Sequence, residues 1–264
     1  NRTNNMRASF RPFIVFLLCC AATLTFAQGA VTNTAVVPVP KLENDFYDWY
    51  QRHAQVKERI AKQPADLVFI GDSITHMFGG QPASPVHRGA AVWDRYYGNR
   101  NALNLGFGWD RTQNVLWRLN NGEFENMHPK AVVLLIGTNN RTGTRNAREN
   151  TSAEIVEGIE AICQTIHAKS PASKIILVGV LPRSPAHFVG PIREINRALP
   201  QLESLGYVKF LDLWPAFADQ DGLPKKELMA DTVHPNEKGY RLWAETMEPL
   251  LASLLSCEKT PAKK

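Results

Sequence analysis

From about residue 66 onward, the chain alternates short apolar runs with amphipathic stretches. Five short runs are rich in apolar residues, and we predict them as strands over 66–70, 102–105, 131–136, 174–180 and 208–213. Around them apolar residues recur every three or four positions, which predicts helices over 44–62, 112–120, 152–169, 191–205 and 236–255. Asp45 is predicted as the N-cap of the first helix.

Strands with continuous apolar residues are buried on both faces of a sheet, and interleaved helices supply the cover. The order of elements therefore predicts an α/β protein, a three-layer α/β/α sandwich around a five-stranded parallel sheet. No repeat or internal linker interrupts the pattern, so we predict one domain over residues 44–256. Residues 28–43 are predicted to form an extended linker and residues 257–264 a tail.

The first thirty residues have a different pattern. Arg7 and Arg11 precede an apolar run over 13–22, and small residues follow around Ala27. This order is typical of a secretory signal peptide, and we predict one over residues 1–27, including the residues upstream of Met6. The apolar run is short for a membrane span, so an uncleaved anchor is the less favoured alternative. We expect a secreted or periplasmic protein with no stable membrane insertion after cleavage.

Net charge and cysteine content change once this leader is set aside. The full chain carries a formal charge of +5, which suggests a polyanionic partner. Removal of the leader leaves 27 basic and 25 acidic residues, a charge of +2, with no run of more than two consecutive basic residues. We therefore expect no nucleic-acid partner. Cys163 and Cys257 remain; a buried free thiol at Cys163 is favoured, and pairing of the two stays open.

Polar residues follow the predicted strands at the points where ligands bind parallel sheets. The segments are Gly71-Asp72-Ser73, Gly106 to Asp110, Gly137-Thr138-Asn139-Asn140, and Asp231-Thr232-Val233-His234 before the last helix. Each segment alone is also explained as a turn or a helix cap. Together they bring a serine, an asparagine, an aspartate and a histidine to one edge of the sheet, which favours nucleophilic acyl transfer.

Other chemistries lack their motifs. Arg111 stands where a dinucleotide fingerprint beginning at Gly106 and Gly108 needs its third glycine. The chain has no phosphate-binding loop motif, no zinc-spaced His/Cys cluster and no Gly-x-Ser-x-Gly elbow. We therefore expect neither a cofactor nor a metal ion.

These segments resemble the GDSL or SGNH hydrolase family, and most of all its branch of platelet-activating-factor acetylhydrolase catalytic subunits. Residues 69–73, 104–110, 137–140 and 231–234 match the four family blocks, and residues 114–123 are similar to that branch. The resemblance runs from about residue 66 to residue 254. It implies the flavodoxin-like fold of that family and a serine esterase activity.

The resemblance also implies roles for particular residues. Ser73 would be the nucleophile, His234 its general base, and Asp231 the group that orients the imidazole. The oxyanion hole would consist of the backbone N–H of Ser73, the side-chain amide of Asn139 and a backbone N–H from the second block.

The sequence departs from the family in the second block. The family usually has glycine directly before the aspartate, where this chain has Trp109. Trp109 keeps a backbone N–H, but its Cβ resists positive φ, so Gly108 is the alternative oxyanion donor. Asp72, Trp109 and His76 are candidate substrate-binding residues. A packing role for Trp109 and a surface position for His76, which we favour, stay open.

Two further features lie near the predicted site. Residues 79–89 are predicted as a loop beyond the nucleophile helix, either shaping substrate access or simply solvated. Arg183 follows the fourth strand, where a role in the site and a structural ion pair are both open.

The sequence and the family resemblance thus predict a secreted serine esterase that removes a small acyl group, with acetyl favoured, from carbohydrate or glycan esters. A lipid esterase of the platelet-activating-factor acetylhydrolase or lysophospholipase type is one alternative, and a non-catalytic binding module is another. Related acetylhydrolase subunits pair, so a homodimer stays open.

Overall fold

The computed structural model describes residues 32–256, and a five-stranded parallel sheet lies at its centre. The strands are β1 (Leu67–Gly71), β2 (Ala102–Gly106), β3 (Ala131–Leu135), β4 (Lys174–Val178) and β5 (Val208–Leu211). Their order across the sheet is β2-β1-β3-β4-β5, and every neighbouring pair is parallel. The predicted fold class is confirmed, and each predicted strand is present with ends shifted by at most two residues.

Helices cover both faces of this sheet. They are α1 (Trp49–Lys62), α2 (Ser73–His76), α3 (Ala90–Tyr97), α4 (Thr112–Arg118), α5 (Ser152–Lys169), α6 (Val189–Ala198), α7 (Trp214–Phe217) and α8 (Glu237–Ser256). In β1, Val68 and Ile70 pack with α1, α4, α5 and α6, whereas Leu67 and Phe69 pack with α3 and α8. Both sides of the strand are therefore buried, which is why its sequence is continuously apolar.

The first helix starts later than predicted. It begins at Trp49, and the side chain of Asp48 caps it by accepting hydrogen bonds from the backbone N–H groups of Tyr50 (2.9 Å) and Gln51 (3.0 Å). The prediction of Asp45 as the N-cap is therefore wrong. An aspartate side chain satisfies free N–H groups only from the position directly before the helix, and here Asp48 occupies it.

Residues 33–43 pack against the domain. They include a short 3₁₀ turn, Thr34–Val36, in which Ala35 is buried. The hydroxyl of Thr112 donates to the carbonyl of Ala35 (2.8 Å), and the amide of Asn114 donates to the carbonyl of Pro40 (2.6 Å). These contacts with the start of α4 lead the chain toward the sheet edge where β1 and β3 end.

Several predictions fall on residues outside the described range. They are the signal peptide over residues 1–27, the first part of the linker and the tail over residues 257–264. Cys257 lies there too, so its pairing stays open, while Cys163 is buried in α5 and burial raises the pKa of its thiol to about 12. Across residues 32–256, no helix combines the length and the apolar character needed to cross a bilayer.

Candidate active site

Ser73 lies where β1 turns into α2. Asp72 precedes it and caps α2 by accepting a hydrogen bond from the backbone N–H of Ile74 (2.9 Å). Gly71 ends the strand at a tight approach, since a Cβ there would lie 2.2 Å from the Thr75 hydroxyl and 2.3 Å from the Leu135 carbonyl. The strand can therefore turn sharply, and the Ser73 side chain reaches the cavity at the sheet edge.

His234 connects Ser73 to Asp231. Its Nε2 lies 2.8 Å from the Ser73 hydroxyl, and its Nδ1 lies 2.9 Å from Oδ2 of Asp231. Both residues lie in the loop before α8, where Oδ1 of Asp231 accepts hydrogen bonds from the backbone N–H groups of Val233 (2.9 Å) and His234 (2.8 Å). This turn orients the carboxylate toward the imidazole. The arrangement allows His234 to take a proton from Ser73 while Asp231 faces the opposite ring nitrogen.

Arg88 adds a positive charge to this group. Its guanidinium donates to Oδ2 of Asp231 at 2.7 Å. Burial alone would raise the pKa of Asp231, but hydrogen bonds from the His234 backbone, the Arg88 guanidinium and the Val233 backbone hold that pKa well below its usual range. Sequence reasoning did not identify Arg88, which lies in the loop predicted over residues 79–89 and belongs to no motif.

The second block forms a tight turn beside Ser73. The backbone N–H of Asp110 donates to the Phe107 carbonyl (3.2 Å), and Trp109 has a φ of 64°. Trp109 therefore adopts the left-handed conformation that a glycine would take, at a cost of about 1–2 kcal/mol. Trp109 lies on the cavity wall, whereas Gly108 is packed against the carboxylate of Asp45. The identity of the second-block oxyanion donor stays a prediction.

Asn139 comes from the loop after β3. Its side-chain amide donates to the carbonyl of Asp110 at 3.0 Å, and the side chain lies on the same cavity wall as Ser73. The structure thus brings together Ser73, Asp231, His234 and Asn139, as the sequence predicts. These residues are far apart along the chain, but the carboxyl ends of the parallel strands lie at the same edge of the sheet and bring them together.

The cavity has a volume of about 190 Å³. Asp45 and Phe46 from the N-terminal segment lie on its wall. Both were predicted to belong to the first helix, but they precede it, because α1 begins at Trp49. Phe46 is 49% exposed and Trp109 is 39% exposed, so two aromatic side chains are accessible at the cavity. Burial raises the pKa of Asp45, and the Phe46 backbone N–H and the charge of His234 lower it. Arg183 also lines the cavity, where its guanidinium donates to the Thr138 carbonyl (3.1 Å).

Asp72 and His76 are both buried and absent from the cavity wall. Burial raises the pKa of Asp72 to about 7, and Asp110 adds to this effect. The imidazole of His76 lies 4.7 Å from the ring of Tyr47, and burial lowers the pKa of His76 to about 2. The surface position favoured for His76 is wrong, because residues 46–47 fold over it. Substrate binding by Asp72 and His76 stays a prediction, and the burial of both side chains does not favour it.

A buried ion network supports the second block from behind. Arg118 donates to Oδ2 of Asp110 (2.7 Å) and to the carboxylate of Glu123, whose other oxygen lies 2.7 Å from Nδ1 of His53. The indole N–H of Trp49 donates to Oδ1 of Asp110 (2.8 Å). Burial raises the pKa of Asp110 to about 6 although Arg118 opposes that shift. These contacts fix the residue whose carbonyl holds Asn139.

The chain is similar to known proteins over most of its length. Residues 69–242 match the model of the GDSL-like lipase/acylhydrolase family. The chain is 34% identical over 221 residues to human platelet-activating factor acetylhydrolase IB subunit alpha2, covering 82% of this chain and 88% of that protein. It is also 34% identical over 234 residues to the rat subunit alpha1, covering 87% and 93%.

Solved structures share the fold at lower identity. A putative acylhydrolase from Bacteroides fragilis superposes with a TM-score of 0.63 at 20% identity, covering 81% of this chain and all of that one. A variant of an acetyl-xylooligosaccharide esterase from Geobacillus superposes with a TM-score of 0.55 at 19% identity, covering 75% and 97%. The family match and the identity to curated relatives extend over most of the chain. The protein therefore belongs to the GDSL-like lipase/acylhydrolase family and is a carboxylic ester hydrolase.

Proposed function

We propose that this protein is a serine esterase that removes acetyl and similarly small acyl groups from carbohydrate or glycan esters. The observation that carries the proposal is the hydrogen-bonded chain from Ser73 through His234 to Asp231, which opens onto a small cavity with Asn139 on its wall. The predicted signal peptide supports action outside the cytoplasm.

The reaction follows from the proton path. Ser73 Oγ attacks the acyl carbonyl as His234 Nε2 takes its proton, and Asp231 stabilises the resulting imidazolium. The carbonyl oxygen gains negative charge, which the Asn139 amide and the Ser73 backbone N–H stabilise together with Trp109 or Gly108. His234 then protonates the departing alcohol, leaving an acyl ester on Ser73. Water hydrolyses that ester by the same steps, with His234 again as the base.

The size of the cavity supports a small acyl group. Its volume of about 190 Å³ lies below the roughly 300 Å³ at which pockets begin to enclose drug-sized ligands. Met77 and Val233 add apolar surface to its wall. The names of the curated relatives specify acetylhydrolases, which favours acetyl among the small acyl groups.

The aromatic side chains support a sugar as the alcohol part of the ester. Phe46 and Trp109 offer accessible ring faces beside the nucleophile, and a carboxylate at Asp45 can accept hydrogen bonds from hydroxyl groups. A neighbour with the same fold is an acetyl-xylooligosaccharide esterase. The second candidate is a lipid esterase, favoured by the 34% identity to platelet-activating factor acetylhydrolase subunits.

The first experiment tests catalysis itself. Ser73→Ala should reduce hydrolysis of p-nitrophenyl acetate at least about a thousandfold, because the nucleophile is lost. Ser253→Ala is the matched control, since Ser253 is exposed on α8 and its hydroxyl only donates to the carbonyl of Leu250. Circular dichroism of both variants checks the fold. Full activity of folded Ser73→Ala would exclude the proposed nucleophile, and absence of esterase activity in the unmodified protein would favour a binding module.

The second experiment tests the substrate class. Acetate release is measured from acetylated xylan, acetylated sialic acid and an acetyl-phospholipid at equal ester concentration. Trp109→Ala should raise KM for the preferred acetylated sugar about three- to tenfold and leave p-nitrophenyl acetate nearly unaffected. Tyr50→Ala is the control, because Tyr50 is an exposed aromatic residue outside the cavity wall. Preference for the phospholipid would favour the lipid esterase, and equal rates on all three would remove the basis for a sugar preference.

A further inference from the structure

Arg88 is held at a fixed place between the nucleophile helix and the loop that carries the base. Its backbone N–H donates to the carbonyl of Met77, directly after α2, at 2.8 Å. The next residue, Gly89, is wedged against the core, since a Cβ there would lie 2.7 Å from the ring of Tyr240 and 2.9 Å from that of Phe78. The guanidinium therefore extends toward Asp231 from a well-anchored backbone.

The imidazole of His234 faces both oxygens of Asp231, with Nδ1 3.0 Å from Oδ1 and 2.9 Å from Oδ2. Oδ1 accepts the backbone N–H groups of Val233 and His234, which already orient the carboxylate. Oδ2 is shared by Nδ1 of His234 at 2.9 Å and by Arg88 at 2.7 Å. The guanidinium thus binds Oδ2, one of the two carboxylate oxygens that face the imidazole.

We propose that Arg88 is a positioning residue of the catalytic triad, which fixes Oδ2 of Asp231 and offsets part of the negative charge that Asp231 presents to His234. The inference rests on the proposed function, because it assumes that His234 acts as the base for Ser73. A less negative Asp231 makes protonation of the imidazole less favourable. Arg88 would therefore keep the enzyme active at a lower pH than the triad alone allows.

Other charged groups also face this part of the site. Asp45 and Arg183 lie on the cavity wall beside His234, Asp72 lies behind Ser73, and Asp219 and Lys226 line a depression that Asp231 shares. They carry both signs and stay unchanged when Arg88 is replaced. Arg88 differs from them because its guanidinium is in hydrogen-bond contact with the carboxylate of the triad.

The effect expected from Arg88 is moderate. The Arg88 and Asp231 side chains are 28% and 39% exposed, so water and salt screen their interaction. We therefore expect loss of the charge to raise the acid midpoint of the kcat/KM profile by about 0.5–1 pH unit. A purely structural ion pair predicts a different result: reduced stability or reduced kcat at every pH, with the same acid midpoint.

The experiment measures kcat and KM for p-nitrophenyl acetate between pH 4.5 and 9 with the full chain. Arg88→Gln removes the charge and should raise the acid midpoint while KM stays unchanged. Arg88→Lys keeps the charge and should retain a midpoint close to that of the unmodified protein. Arg100→Gln is the matched control, because it breaks the similarly exposed pair of Arg100 with Glu248. Its midpoint should not move.

An unchanged acid midpoint in folded Arg88→Gln would overturn the proposal. If that variant does not fold, Arg88→Met removes the charge while keeping the aliphatic part of the side chain, and the same criterion applies to it. Ser73→Ala is assayed in parallel: activity in Ser73→Ala refutes the proposed function. Loss of activity in Ser73→Ala with an unchanged midpoint in Arg88→Gln refutes only the role of Arg88.

Discussion

Arg118 provides the sharpest test of how the second block is supported. It is fully buried, pairs with Asp110 and Glu123, and lies 4.0 Å above the ring of Phe107. Arg118→Met preserves most of the aliphatic volume but leaves two buried carboxyl groups without their cation. Removal of one partner from a buried ion pair typically costs about 3–5 kcal/mol, because the remaining charge is left uncompensated.

This loss is a large share of the free energy of unfolding, which is about 5–15 kcal/mol for a typical domain. For a domain of this size, it corresponds to a decrease in Tm of about 6–20 °C. The loss should be smaller at pH 5 than at pH 8. Burial already raises the pKa of Asp110 to about 6 with Arg118 present, and removing the cation favours the neutral acid further. Protonation at low pH therefore relieves part of the destabilisation.

Urea unfolding followed by tryptophan fluorescence at both pH values measures these differences. Arg241→Met is the matched control: it breaks an exposed pair with Glu237 within α8 and should cost no more than about 0.5 kcal/mol. A loss below about 1 kcal/mol for Arg118→Met at pH 8, or a loss equal to that of the control, would refute the view that this network holds the second block.

Three further substitutions have distinct expected outcomes. Burial lowers the pKa of His76 to about 2, so below pH 6.5 the unfolded chain takes up a proton that the native state does not. The free energy of unfolding therefore decreases as the pH is lowered below 6.5. The free energy of unfolding of His76→Phe should rise relative to that of the unmodified protein by about 1.4 kcal/mol for each pH unit below 6.5. Parallel curves of unfolding free energy against pH for the two proteins would contradict this. Burial raises the pKa of Asp72 to about 7, so the stability of the unmodified protein falls as pH rises from about 4 to 7. Asp72→Asn keeps a capping side chain and lacks this titration. Relative to the unmodified protein, its Tm should therefore be higher at pH 8 than at pH 4. Asn139→Ala should lower kcat for p-nitrophenyl acetate about 100- to 1000-fold with little change in KM, and a tenfold or smaller loss would exclude it as an oxyanion donor.

The sheet could be predicted because its physical signal is local. Strands β1 to β4 are buried on both faces over most of their length, so their apolar runs are nearly continuous and can be recognised without knowledge of their neighbours. The edge strand β5 is less buried, and Lys209 interrupts its apolar run. The long helix α5 was predicted with the correct bounds because its apolar residues repeat at helical spacing. In the structure, a capping box of Thr151 and Glu154 stabilises its start.

Helix bounds were less predictable where backbone conformation or tertiary contacts decide them. The predicted helix over residues 112–120 ends as α4 at Arg118, and Gly122 has a φ of 104°. The helix predicted over 191–205 begins at Val189 and continues beyond Ala198 only as a 3₁₀ turn that contains Pro200. No helix was predicted for α3, which has only eight residues between Gly89 and Gly98 and no side-chain cap at its start.

The same division applies to the candidate active site. The juxtaposition of Ser73, Asn139, Asp231 and His234 could be predicted because each follows a recognisable element, and parallel strands bring their ends together. Arg88 and Asp45 could not be identified, because neither belongs to a motif of the sequence. Arg88 contacts Asp231 across 143 residues of sequence. Asp45 lies against Gly108 in a segment whose preceding residues pack on α4.

Trp109 shows how these unpredicted contacts matter for the site. Its left-handed backbone costs about 1–2 kcal/mol that a glycine would avoid, so neighbouring contacts must stabilise the turn by more than that amount. The structure provides them on both sides: the Tyr47 hydroxyl donates to the Gly108 carbonyl at 3.3 Å, and Arg118 and Trp49 fix the Asp110 carboxylate. A tryptophan can therefore occupy a position suited to glycine because a buried ion network and the N-terminal segment hold the turn in place.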